Sequence, residues 1–273
     1  RRTHLAAEPG AELPFDRAVV VSGAGEGVPV EATTGRPGAT VRFYVGADLA
    51  KALREYGDDL PKRVARPEIG WNSWYDLWDT VTESSFLANV GEVKDWLTKP
   101  AKVHNVPLRV VLDDGWQLAW GDWRANANFP SGLAKLVADR HAQGIEMGLW
   151  LAPLLVSAKL PVVQQHPDWF VGGAVYPHLV HGEMRVLDVT HPDARKHLHS
   201  QLTALRDAGL TLFKVDFLFV GTYEGTRHLP RTGMEAYGLA LQAVREAVGP
   251  QVLLLAGGAP PLGSIGVVDA WRF

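Results

Sequence analysis

From Ile69 onward the chain alternates short apolar runs with longer segments of helical period, and this alternation limits its fold more than any other feature. The runs read as strands over Ile69–Trp74, Leu108–Leu112, Ile145–Leu151, Leu212–Phe217, Gln251–Leu255 and Ile265–Asp269. Between them the spacing predicts helices over Glu83–Leu97, Leu133–Gln143, Asp193–Ala208 and Gly233–Ala247. The third helix shows its period well: Ala194, Leu198, Leu202 and Leu205 fall on one stripe, Pro192 sits in the first turn and Gly209 lies just past the end. Apolar strands separated by helices imply parallel pairing with both faces of the sheet covered. A doubly wound sheet and a (β/α)₈ barrel both satisfy that pattern. The barrel is favoured because "LRVVLDDGW", "MGLWLAP", "LFKVDF" and "VVDAWR" each put polar or aromatic groups at the C-terminal end of a strand, the rim that carries chemistry in barrels. Six strands are visible where a barrel has eight, so the expectation is an α/β, TIM-type barrel incomplete at its C-terminus.

Before the barrel, residues 1–66 read differently. "RAVVVS", "VPVEA" and "ATVRFYV" are short, Val-rich and separated by Gly/Pro turns. They are expected to be the tail of a β-sandwich domain, followed by a helix in "DLAKALREYGDDL" and a Pro-bounded linker, with the barrel occupying 67–273. Arg1 in place of an initiator Met fits a chain cut from a longer one.

Composition mainly excludes. A formal net charge of -3 gives no footprint for nucleic acid or for an anionic membrane. No apolar run reaches the roughly 18–20 residues of a membrane span. With no cysteine there is no disulfide, thiolate metal site or Cys nucleophile. "RRTHLAAEPG" lacks a signal-like apolar stretch, so the cytoplasm is expected, with secretion left open by the missing N-terminal portion. "SGAGEGVP" fails the dinucleotide fingerprint, and no nucleophile-elbow motif occurs. His178, His181, His197 and His199 lack a metalloprotease frame, and no metal or cofactor is expected.

Lys214 and Asp216 interrupt a buried strand two residues apart, so they share a face while Val215 points away. Burial of charge is tolerated in a pair or in a cleft. Two readings stay open: a structural ion pair, or a carboxylate held ionised as nucleophile or base. Asp113 and Asp114 end another strand, and Asp-Asp-Gly is also ordinary turn chemistry. Two acidic strand ends beside Trp150 and Trp71 fit a carbohydrate pocket, where carboxylates accept from hydroxyls and indoles supply flat apolar platforms.

The ordered set "GWNSWYDLW", "LDDGWQ", "NFPSGL", "GLWLAP", "LDVTHP" and "FKVDFLF", between Glu68 and Phe273, resembles the barrel domain of family 36 glycoside hydrolases, the bacterial α-galactosidases. The resemblance implies a retaining hydrolase of α-galactoside oligosaccharides with Asp216 as nucleophile. Lys214 would hold sugar hydroxyls and keep Asp216 charged. Asp113 and Asp114 would accept from the galactose 4- and 6-hydroxyls. Trp150, with Trp71 and Trp74, would wall the pocket, and Arg272 would touch substrate. The family's acid/base aspartate would follow just past Phe273, so the chain as given is expected to be an inactive fragment; Asp269 is a weaker substitute. Relatives often carry Cys where Gly257 stands, which bears on one pocket wall. Two alternatives remain: galactosyl transfer of the raffinose-synthase kind, and a sugar-binding barrel remnant without catalysis. Self-association is left open. Asp188 reads as a turn aspartate, and the aromatic loop Gly115–Trp123 as either a lid or a packing surface.

Overall fold

The computed structural model describes residues 19–21, 42–44, 50, 54, 58, 63 and 67–272. The chain divides into two compact units, Arg1–Lys62 and Arg63–Phe273. In the first, β1 (Val19–Val21) pairs in parallel with β2 (Arg42–Tyr44), and Ala50, Arg54 and Asp58 are helical. The strand expected in "VPVEA" lies outside the described residues.

The second unit is built on strands β3 (Ile69–Asn72), β4 (Leu108–Leu112), β7 (Ile145–Leu151), β11 (Leu212–Val215), β12 (Leu253–Gly257) and β13 (Ala270–Arg272), joined in the order β13-β12-β11-β7-β4-β3. Every neighbouring pair is parallel. Helices Glu83–Val103, Leu133–His141, Pro192–Asp207 and Gly233–Val248 make the crossovers. This is the strand–helix order of a barrel over six strands. All five residues of β4 are buried, as two covered faces require.

Two antiparallel pieces decorate the C-terminal side of the sheet. β5 (Gln117–Ala119) and β6 (Asp122–Ala125) form a hairpin. β8 (Leu155–Ser157), β9 (Phe170–His178) and β10 (Gly182–Leu187) form a small sheet in the order β8-β10-β9. Among the described residues, no helix is long and apolar enough to cross a membrane.

Expectation and structure differ in places. The first helix continues through Pro100 to Val103: the proline lies on the exposed side, and buried Ala101 anchors the last turn. The last strand begins at Ala270, because Ile265–Val268 instead follow the short helix Pro261–Ser264 through a turn containing Gly266 at φ 82. Asp188 is buried and accepts from the Thr190 backbone and hydroxyl and from the His228 backbone, a loop-fixing role.

Candidate active site

Strand register decides which side chains meet. Lys214 is the lateral partner of Trp150, and Asp113 follows Leu112, the partner of Leu149. In a parallel ladder, partners point to the same face. Asp113, Trp150 and Lys214 therefore make one row, and Asp216, Gly257 and Arg272 lie two residues further along the same face. Asn72 pairs with Val111, two residues before Asp113, and shares that face. Trp71 pairs with Val110 and is out of phase.

The row is tied together by buried polar contacts. Lys214 Nζ stands 2.5 Å from Asp113 Oδ2, and both side chains are almost wholly shielded from solvent. The same oxygen accepts from Asn72 Nδ2 at 2.7 Å, and the Asp113 backbone N–H donates to Ser73 Oγ at 2.9 Å. A buried ion pair persists only when its remaining hydrogen-bonding capacity is also met, and Asn72 supplies part of that. The expectation is that Lys214 holds sugar hydroxyls and keeps Asp216 charged; its ammonium pairs with Asp113, and among the described residues no ion pair joins it to Asp216.

Asp216 is held by other groups. Its Oδ1 accepts from the Phe217 N–H at 2.9 Å, and its Oδ2 lies 3.3 Å from Trp150 Nε1 and 3.6 Å from Arg272 Nη2. Phe217 sits at φ 54, a strained conformation for a bulky residue, and it turns the chain directly behind the carboxylate. A Cβ at Gly257 would stand 2.4 Å from Asp216 Oδ1, so the absent side chain leaves the room that this carboxylate fills.

Asp114 faces a different set. Its Oδ1 accepts from the Gly115 N–H, Gln117 Nε2 and Trp120 Nε1 at 3.0, 2.5 and 3.1 Å. Its Oδ2 lies 3.1 Å from His181 Nε2. Gly115 has φ 108, and a Cβ there would lie 2.5 Å from the Asp79 carbonyl oxygen, so only glycine lets the turn close against that segment. The Asp114 bond lifts the His181 imidazole above its ordinary pKa; burial, then the neighbouring His181 charge, pushes His178 below its own.

The remaining candidates separate. Trp150 is buried in the row, with Trp120 tilted against it at 5.1 Å. Trp71 is a correction: it packs against Phe86 of the first crossover helix, 5.9 Å between centroids, on the face opposite Asn72. Trp74 is tilted against Trp78, with the ring centroids 5.0 Å apart, and its backbone N–H donates to Asn72 Oδ1. Arg272 also donates to the Tyr75 hydroxyl at 3.3 Å. Asp269 is spent elsewhere, at the start of β13, on Arg63, Arg245 and the Leu254 N–H.

Asn72 and Ser73 are not singled out by the sequence reading, which takes Trp120 only as part of the Gly115–Trp123 loop and His181 only as one of four histidines without a metal frame. Asn72 and Ser73 carry the strand-end signal that exposed Asp113 and Asp114, polar residues closing an apolar run. Trp120 and His181 arrive from hairpins, which strand phase does not reach. The loop Gly115–Trp123 is a packed hairpin, with Trp116, Trp120 and Trp123 buried. A cleft of about 410 Å³, lined in part by Trp123, Leu160, His197 and Gln201, shares no residue with the carboxylate cluster. Among the described residues, no three His, Cys, Asp or Glu side chains converge as they would on a metal ion.

Comparison with known proteins gives one family. The melibiase family model matches residues 70–248, well over half of the chain. "Alpha-galactosidase 2" of Hypocrea jecorina is 29% identical over 239 residues, covering 80% of this chain and 29% of that protein. "Alpha-galactosidase 2" of Pediococcus pentosaceus is 30% identical over 173 residues, 57% of this chain and 24% of that protein. The chain thus spans less than a third of the length of these curated relatives. Among solved structures, the Thermus thermophilus α-galactosidase in complex with stachyose superposes with a TM-score of 0.69 at 31% identity, covering 81% of this chain and 47% of that one. A family 36 α-galactosidase of Geobacillus stearothermophilus, at 21% identity and TM-score 0.58, shares the fold.

Proposed function

The chain belongs to the melibiase family, and from that premise we propose that it carries the nucleophile and the sugar-recognition face of a retaining α-galactosidase of the family 36 type. One observation supports this most: three strand ends bring an Asp113–Lys214 pair, Trp150 and Asp216 onto a single face. Asp216 has the properties of a nucleophile. It is short, anchored through one oxygen by the Phe217 N–H, and directed by Trp150 and Arg272 through the other.

In the proposed reaction, an Asp216 oxygen attacks the anomeric carbon of a terminal α-galactosyl unit. The glycosidic oxygen leaves as it takes a proton from a second carboxylic acid. Water, deprotonated by that same carboxylate, then releases galactose from the ester with net retention. Asp269 does not fit that second role, because Arg63, Arg245 and the Leu254 N–H already hold it. Asp113 Oδ1, which among the described residues takes only the Asp114 N–H, and Asp114 Oδ2 keep acceptor capacity for sugar hydroxyls. Such a polar site discriminates strongly between an axial and an equatorial hydroxyl, because a misplaced one leaves buried groups unpaired.

The test uses the full-length protein with an aryl α-galactoside and with raffinose. Wild type should release galactose as its α-anomer first, and Asp216→Ala should lose at least about a thousandfold in kcat. Initial release of β-galactose, or an Asp216→Ala variant that keeps more than a few per cent of activity, overturns the reading.

A further inference from the structure

We propose that His181 is a positioning residue for galactose recognition: its imidazole fixes the one oxygen of Asp114 left for the sugar, and its protonated form tightens binding. The inference rests on the function proposed above and extends it to a hairpin residue outside the strand-end pattern.

Asp114 has two unequal oxygens. Oδ1 already takes three donors, from Gly115, Gln117 and Trp120, which fills its accepting capacity. A sugar hydroxyl must therefore use Oδ2, the oxygen that His181 Nε2 holds at 3.1 Å. The orientation of that oxygen is set by the tip of the β9–β10 hairpin. There Leu179 and Val180 are exposed, so apolar burial does not hold the tip in place. Instead, His178 Nδ1 accepts the backbone N–H groups of Val180 and His181, at 3.3 and 3.1 Å, and the two imidazoles stack at 4.9 Å. Trp120 lies 4.7 Å from the His178 ring and 4.9 Å from the His181 ring, and its own N–H is on Asp114.

This arrangement assigns the protons. Nδ1 of His178 is an acceptor and so bears no hydrogen, which makes that ring neutral; burial favours the same state. His181 bonds a carboxylate, which favours its cationic form, and its ring is tilted against Trp120 with the centroids 4.9 Å apart. The groups that face it are Asp114 from the β4–β5 turn, Asp79 from the Trp78–Thr80 turn, and His178 on its own hairpin. When a sugar displaces water, the local dielectric falls and the Asp114–His181 attraction grows. Binding then takes up a proton, so affinity falls as pH rises through the His181 titration. The neutral ring still donates from Nε2, through a weaker bond in which only the carboxylate is charged.

Calorimetric titration of galactose into the full-length protein between about pH 5 and pH 9 tests this. Wild type should lose roughly five- to tenfold in affinity across that range. His181→Gln, a neutral donor at every pH, should bind more weakly at low pH, show a flat profile, and raise KM with kcat little changed. His181→Arg, charged throughout, should recover tight binding with a flat profile. A wild-type affinity independent of pH, or wild-type and His181→Gln profiles that superimpose, overturns the inference while leaving the functional reading standing. Wild-type protein that binds no galactose at any pH overturns both. Should His181→Gln fail to show a cooperative thermal transition, the slope of the wild-type profile decides alone.

Discussion

Lys214 shows what a single residue can do in this sheet. Its ammonium is buried against Asp113, and neither charge has water to fall back on. Removing one partner strands the other, at about 3–5 kcal/mol, whereas removing both is far milder. Lys214→Met should therefore lower the unfolding free energy in urea by roughly that amount, and Lys214→Met with Asp113→Asn should lose much less than the sum of the singles. Additive losses would mean that the pair is not coupled. The same residue marks where sequence reading stops. Period-2 alternation correctly placed Lys214 and Asp216 on one face, yet sharing a face does not choose a partner. The register with β4, invisible along one strand, gives Lys214 to Asp113. Phase would also have turned Trp71 away from the site, since it is one residue from Asn72 and so points to the opposite face.

Elements were legible in proportion to their periodicity. Leu108–Leu112 and Ile145–Leu151 are found as read, because an unbroken apolar run bounded by turn residues leaves few alternatives. The helix starts are equally plain: Thr232 accepts from the Glu235 N–H while the Glu235 carboxylate accepts from the Thr232 N–H, a capping box visible as T-x-x-E. Thr232→Ala should cost about 1 kcal/mol in a denaturation midpoint without altering galactose affinity. The β9–β10 hairpin was not legible. Gly172, Gly173 and Pro177 break its alternation, and its long arms are held by tertiary packing rather than by local preference. Since that hairpin delivers His181, the least periodic element supplies a site residue that the strands do not.

For the whole molecule, the two ends of the sheet do different work. Asp113, Asp114 and Asp216 crowd the C-terminal ends of the strands, while at the opposite end Asp269 locks β12 and β13 to Arg63 and Arg245. Burial opposes the Asp269 charge, but the Leu254 N–H and the two guanidinium groups outweigh it and hold the carboxyl below its ordinary pKa. A carboxylate depressed in the folded state stabilises above its unfolded pKa of about 4, and that stabilisation is lost as pH falls through the folded value. Wild type should thus be more stable than Asp269→Asn at pH 7, with the gap in melting temperature closing below about pH 4. A gap that stays constant down to pH 2.5 would refute the linkage.

The proposed mechanism requires the Asp216 carboxylate to form a bond to a sugar carbon, and covalent trapping reads that directly. The full-length protein would be inactivated with a fluorinated α-galactosyl fluoride, digested with trypsin and mapped by mass spectrometry. The label should fall on the peptide Val215–Arg227, at Asp216. An adduct on any other peptide contradicts the account.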